Sequence, residues 1–152
     1  MSPLLSNVYL DPLDHEMARS EYEMVRYADD MVILCRSGEE AQAALERVQT
    51  WTAQAGLALH PTKTRIVDLN EPGGFDFLGY HFERDRRNRQ RMLRWPRDKS
   101  QRKLKDALRQ RTPRRSGQSL PTIIAQLNRT MRGWYEYFQS TKRYNRKLWM
   151  AE

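Results

Sequence analysis

The chain has 152 residues, 39% apolar and 30% charged, with 27 Lys and Arg against 19 Asp and Glu and a formal net charge of +8. That length suits about one domain by the prior of roughly 100–200 residues, and the aliphatic and aromatic content excludes wholesale disorder. A single cysteine, Cys35, excludes an internal disulfide framework and a cysteine-based zinc cage, and the absence of a long apolar run or a basic N-terminal leader predicts a cytoplasmic protein with no membrane partner.

Residues 4–18 predict a helix with Leu4, Leu5, Val8, Tyr9 and Leu13 on its apolar side, troubled by Pro12. Residues 22–35 predict two strands around a polar Asp29-Asp30 break, and Met31–Cys35 is apolar enough to be buried on both faces. Ser37 with Glu40 makes a capping box. Ala41, Ala44, Leu45, Val48, Trp51, Thr52 and Ala55 then follow helical spacing up to Gly56. Residues 57–60 and 66–69 predict short strands around a Pro61–Thr64 turn. Phe75–Phe82 predicts a strand pair or a bent strand, with Gly79 at a bulge or close approach. Beyond residue 95 the pattern is helical. One helix carries Leu104, Ala107 and Leu108. A second, capped by Ser119, buries Ile123, Ile124, Leu127 and Met131. A short third helix carries Trp134, Tyr137 and Phe138. The order predicts an α+β fold: an antiparallel sheet with helices, followed by an α-helical region.

Charge is divided along the chain. Residues 1–83 carry 6 basic and 14 acidic side chains, whereas residues 84–115 carry 15 and 3. Such asymmetry points to a polyanion for the second half, and a solvated basic face is the alternative. Trp95, Trp134, Tyr135, Tyr137, Phe138, Tyr144 and Trp149 stand among these cations. Rings among cations suit single-stranded or irregular nucleic acid, although a small domain also needs rings for its core.

Tyr27-Ala-Asp-Asp30 sits between apolar strands. Two adjacent carboxylates repel and are costly to desolvate. A divalent cation resolves that cost through hard oxygen ligands, and two such ions can serve nucleotidyl transfer. A turn lying in water is the other reading.

With its flanking segments, this motif resembles the catalytic hairpin of reverse transcriptases in their group II intron branch. Ser2-Pro-Leu-Leu-Ser-Asn-Val-Tyr-Leu-Asp11 is similar to the end of the preceding palm motif, and Gly56–Thr64 to the next one, with its lysine. Phe77-Leu-Gly-Tyr80 resembles the hairpin leading into the thumb. Leu104–Phe138, with Thr112-Pro-Arg-Arg115 and Arg132–Phe138, resembles the maturase-specific domain. The resemblance implies a partial polymerase palm over 1–83, a basic linker over 84–95 and a helical maturase-specific thumb over 96–152. It implies Asp29 and Asp30 as catalytic ligands of two Mg2+ ions, and Lys63 as the catalytic lysine assisting pyrophosphate. Tyr27, Gly79 and Tyr80 would lie by primer or nucleotide. Arg84, Arg86, Arg87, Arg89, Arg91, Arg94, Lys99, Arg102, Lys103, Arg114 and Arg115 would hold group II intron RNA and template–primer duplex.

The resemblance also places a first metal-binding aspartate on an earlier strand, for which this sequence has no match. Asp11 and Asp14 lie after Ser2-Pro3 and do not correspond. The fingers and a Cys/His-rich endonuclease module are unmatched as well. The expectation is an N-terminally truncated RNA-directed DNA polymerase, its ligand set incomplete, that does not polymerise alone. A separately encoded N-terminal half could complement it, and its shortened palm would leave apolar surface exposed. A non-catalytic intron RNA-binding maturase and a nonspecific basic protein are the competing functions.

Overall fold

The computed structural model describes residues 3–88, 90–115 and 117–140. Ser2, Arg89, Tyr144 and Trp149 lie outside the described residues. The chain divides into two compact units, Met1–Asp68 and Leu69–Glu152.

The first unit opens with α1 (Pro3–Arg19), which runs unbroken through Pro12. The proline is exposed, so its missing N–H falls on the solvent side. The buried stripe is Ser6, Leu10, Leu13 and Met17, at intervals of four, three and four. It differs from the predicted side: Leu4, Leu5, Val8 and Tyr9 are exposed, Leu4 by 72%. β1 (Glu23–Tyr27) and β2 (Asp30–Leu34) pair antiparallel, with Tyr27 opposite Asp30. Neither strand is buried on both faces, and Val25 and Leu34 face outward.

α2 (Gly38–Gln54) forms where the spacing predicted. Ser37 Oγ accepts from Glu40 N at 3.1 Å, and Glu40 Oε2 accepts from Arg36 N at 2.5 Å. Ala44 and Val48 pack on Leu10, Leu13 and Met17, and Met24, Met31, Ile33, Cys35, Leu57 and Leu59 close around them. Burial pushes the Cys35 thiol up from its ordinary value, and the charge of Glu40 adds to it. Residues 57–60 and 66–69, predicted as short strands, form no strand. Leu57 and Leu59 reach the core from irregular chain, and the intervening turn closes through Thr64 N on the His60 carbonyl at 3.0 Å.

The second unit carries its own sheet, β3 (Phe75–Phe77), β4 (Tyr80–Arg84) and β5 (Met92–Pro96), antiparallel in that order. The strands therefore form two small sheets rather than one, and the expected linker over 84–95 contains the β4–β5 connection and most of β5. α3 (Asp98–Arg111) and α4 (Leu120–Phe138) follow. α4 is one helix where two were predicted, because Gly133 is accommodated without a break. Ser119 holds the N-cap position, but its hydroxyl pairs with Thr122 Oγ1 at 2.8 Å and caps no backbone N–H. Ile124 and Met131 are exposed and only Phe138 of α4 is buried. Two helices and a three-stranded sheet provide too little cover for a second deep core.

Candidate functional site

Strands β1 and β2 project their two-residue turn, Ala28-Asp29, away from the core. Tyr27 is 62% exposed, and Asp29 and Asp30 are exposed beside it. Ala28 has φ of 54°, the left-handed region that alanine enters at a cost of roughly 1–2 kcal/mol. The turn is tied down from below. Strand alternation sends Arg26 inward, where its side chain is 9% exposed. Its Nε donates to Asp14 Oδ1 at 2.7 Å and its Nη2 to Asp14 Oδ2, a bidentate pair. Its Nη1 donates to Asn7 Oδ1 at 3.1 Å and to the Ala28 carbonyl at 2.8 Å. The hydrogen bonds to Asp14 raise the guanidinium above its ordinary value against the opposing effect of desolvation.

The Asp29 and Asp30 carboxylates suit a hard divalent cation in type. They fall short in number: among the described residues no cluster of three or more Asp, Glu, His or Cys side chains could hold a metal ion. The pair fits as part of a ligand set that another segment would complete. Lys63 is exposed on its turn, its backbone N bonded to the His60 carbonyl at 3.2 Å, and no ion pair joins it to Asp29 or Asp30.

In the second unit the predicted hairpin is a two-residue turn. Leu78 and Gly79 have φ of 48° and 82°, as a type I′ turn requires. Gly79 also sits in close quarters, since a Cβ there would meet Ser100 Oγ at 3.3 Å and Phe138 at 3.6 Å. The tip is fastened to both helices. Ser100 Oγ donates to the Gly79 carbonyl at 3.0 Å, and Tyr137 Oη to the Leu78 carbonyl at 2.8 Å. Tyr80 Oη donates to the Tyr137 carbonyl at 2.6 Å, and its ring packs edge-on against Phe138. Trp134 and Phe138 pack together, while Tyr135 is 66% exposed.

The arginine cluster is carried by folded chain. Arg84 and Arg94 lie on β4 and β5, and Arg86, Arg87 and Arg91 lie between those strands. Asp85, 8% exposed, anchors this connection by accepting from Arg87 N at 2.9 Å. Three of the cations are partly engaged: Arg84 with Asn70, Arg94 with the Ser140 carbonyl, and Arg86 with Glu83 at 3.7 Å. Lys99, Arg102 and Lys103 on α3, and Arg114 and Arg115 after it, are exposed. Their side chains have no hydrogen-bond or ion-pair partner among the described residues. Arg89 lies outside the described residues.

Two comparisons bear on this arrangement. A family model described as reverse transcriptase (RNA-dependent DNA polymerase) matches residues 1–82. The chain belongs to the reverse transcriptase family. A second model, group II intron, maturase-specific domain, matches residues 101–150, which marks the group II intron reverse transcriptase/maturase kind. No curated protein matches the chain significantly. The reverse-transcriptase match contains the Asp29-Asp30 hairpin, Lys63 and Gly79-Tyr80, and the maturase match contains most of α3 and all of α4. Among the described residues no helix is long and apolar enough to cross a membrane.

Sequence reasoning weighed Asp14 only as a metal ligand, set it aside, and assigned no role to Arg26 or Asn7. The available signal was a charged residue at an inward-facing position of a strand whose other inward residue, Met24, is apolar. Such a residue needs a partner, and Asp14 lies within reach on α1.

Proposed function

We propose that this chain is the palm-and-thumb part of an RNA-directed DNA polymerase and intron maturase, working in the cytoplasm on group II intron RNA and a template–primer duplex. Asp29 and Asp30 would hold Mg2+ together with a carboxylate from another segment. The bound cation would supply charge stabilisation for nucleotidyl transfer. The chain's own residues present the two carboxylates at an exposed turn, place Tyr27 next to them, and offer Lys63 as a cation for the departing pyrophosphate. Gly79 and Tyr80 would support the primer end, and the arginines and lysines of 84–115 would contact phosphates. The observation that carries this reading is the exposed Asp-Asp turn within the reverse-transcriptase match.

Among the described residues the ligand set is incomplete, and on this reading the 152-residue chain does not polymerise by itself. Primer extension on an RNA template tests this. The chain alone is expected to incorporate no nucleotide. Co-expressed with the fingers and first palm segment of a group II intron reverse transcriptase, it is expected to extend the primer, and Asp29→Ala to abolish extension, since one lost transition-state contact costs about 10²-fold or more. Extension by the chain alone, or extension that survives Asp29→Ala, would contradict the reading.

Lys99, Arg102 and Lys103 of α3, without side-chain partners among the described residues, favour a second reading, a maturase that stabilises folded intron RNA without catalysis. In that case splicing assistance depends on Arg102 and Lys103 and is indifferent to Asp29 and Asp30.

A further inference from the structure

We propose that Arg26 is a positioning residue for the Asp29-Asp30 pair: it ties the turn backbone at Ala28 to helix α1 and thereby fixes where the two carboxylates stand. The inference rests on the reading of Asp29 and Asp30 as cation ligands.

Arg26 reaches two separate parts of the first unit at once. One side of its guanidinium grips Asp14, and Nη1 bridges Asn7 of α1 and the Ala28 carbonyl. The carbonyl it holds belongs to the residue in the left-handed region, directly before Asp29. A backbone conformation that alanine disfavours persists only where its surroundings determine it, and here a buried cation on the carbonyl does so. The strand alone would leave the turn free to exchange conformations, and the two cation-ligating carboxylates would then spread over many positions. A lysine could keep the charge opposite Asp14, but a single ammonium cannot form the planar fork that joins Asp14, Asn7 and Ala28.

The test is a Mn2+ titration of the 15N-labelled full chain assembled with the unlabelled fingers and first palm segment of a group II intron reverse transcriptase, following paramagnetic broadening of amide signals, with the thermal midpoint recorded for each variant. In the wild-type chain the Asp29 and Asp30 amides are expected to broaden first, and Asp29→Asn to weaken the effect. Folded Arg26→Lys is expected to lower Mn2+ affinity by about ten-fold or more, as loss of a ligand's supporting contact does, and to move the Ala28 amide signal. Asp14→Asn should do the same, and the double variant should fall no further than the larger single loss. Asn7→Ala leaves the ion pair in place and covers the case in which Arg26 variants do not fold. It is expected to shift the Ala28 signal and weaken Mn2+ by a smaller factor. Folded Arg26 or Asn7 variants with wild-type Mn2+ affinity and unmoved Ala28–Asp30 signals would overturn the proposal, whatever their thermal midpoints. A wild-type chain without selective broadening would overturn the cation reading and this inference with it, so the two failures are told apart by which protein fails.

Discussion

Ala28 carries the backbone strain of the Asp29-Asp30 turn. Its φ of 54° places a Cβ where the left-handed backbone crowds it. Ala28→Gly removes that Cβ, and the folded state is expected to gain about 1 kcal/mol by the cost assigned to a non-glycine residue in this region. Glycine also loosens the unfolded chain, which returns part of the gain. Urea unfolding followed by circular dichroism measures the difference, and destabilisation would show that the side chain makes a compensating contact. Asp29 and Asp30 were legible in the sequence because adjacent carboxylates between apolar strands are uncommon and costly. Arg26 was not, because its meaning depends on a partner 12 residues away on another element. Periodicity marks a residue as inward-facing without saying what waits there.

Among the elements, α2 was the most legible, since the capping box, the apolar spacing and Gly56 all agree. The apolar side of α1 was misread because Leu4, Leu5 and Val8 cluster in sequence, while the neighbouring elements cover the stripe through Leu10, Leu13 and Met17. Leu57 and Leu59 alternate as a strand would, yet among the described residues no partner strand pairs with them to complete a ladder. Alternating burial without hydrogen-bond partners yields irregular chain. The β3–β4 hairpin depends on a feature that spacing could not reveal. Gly74 has φ of 52°, and a Cβ there would lie 1.9 Å from the Phe82 carbonyl oxygen. That neighbour is backbone in a paired strand and cannot move aside cheaply. Gly74→Ala is therefore expected to destabilise the second unit by more than the roughly 1–2 kcal/mol of left-handed strain alone. Hydrogen exchange at β3 and β4 amides reads the effect. Wild-type protection in Gly74→Ala would show that the hairpin tolerates a shift of register or turn.

For the whole molecule, the sequence-level division of charge maps onto chemistry. Residues 1–83 hold the exposed Asp29-Asp30 pair, and residues 84–115 hold 15 cations against 3 anions. Folded chain displays several of these cations, with Arg84 and Arg94 on paired strands and Lys99, Arg102 and Lys103 along one helix. A rigid display of this kind can hold a particular RNA shape, where a flexible basic tract gives only nonspecific attraction. The division into two compact units after Asp68 was not legible, because the charge break at Glu83-Arg84 falls inside β4. The unit boundary follows packing, which charge along the sequence does not track.

The most direct measurement is the affinity of the full chain for a folded group II intron RNA fragment across a salt series, beside a DNA duplex of equal length. Preference for the RNA is expected, with log affinity falling linearly against log salt. Replacing Lys99, Arg102 or Lys103 singly by Gln is expected to reduce that slope by about one per cation removed, while Asp29→Asn leaves it unchanged. Equal affinity for RNA and DNA, or slopes indifferent to all three α3 cations, would contradict the account.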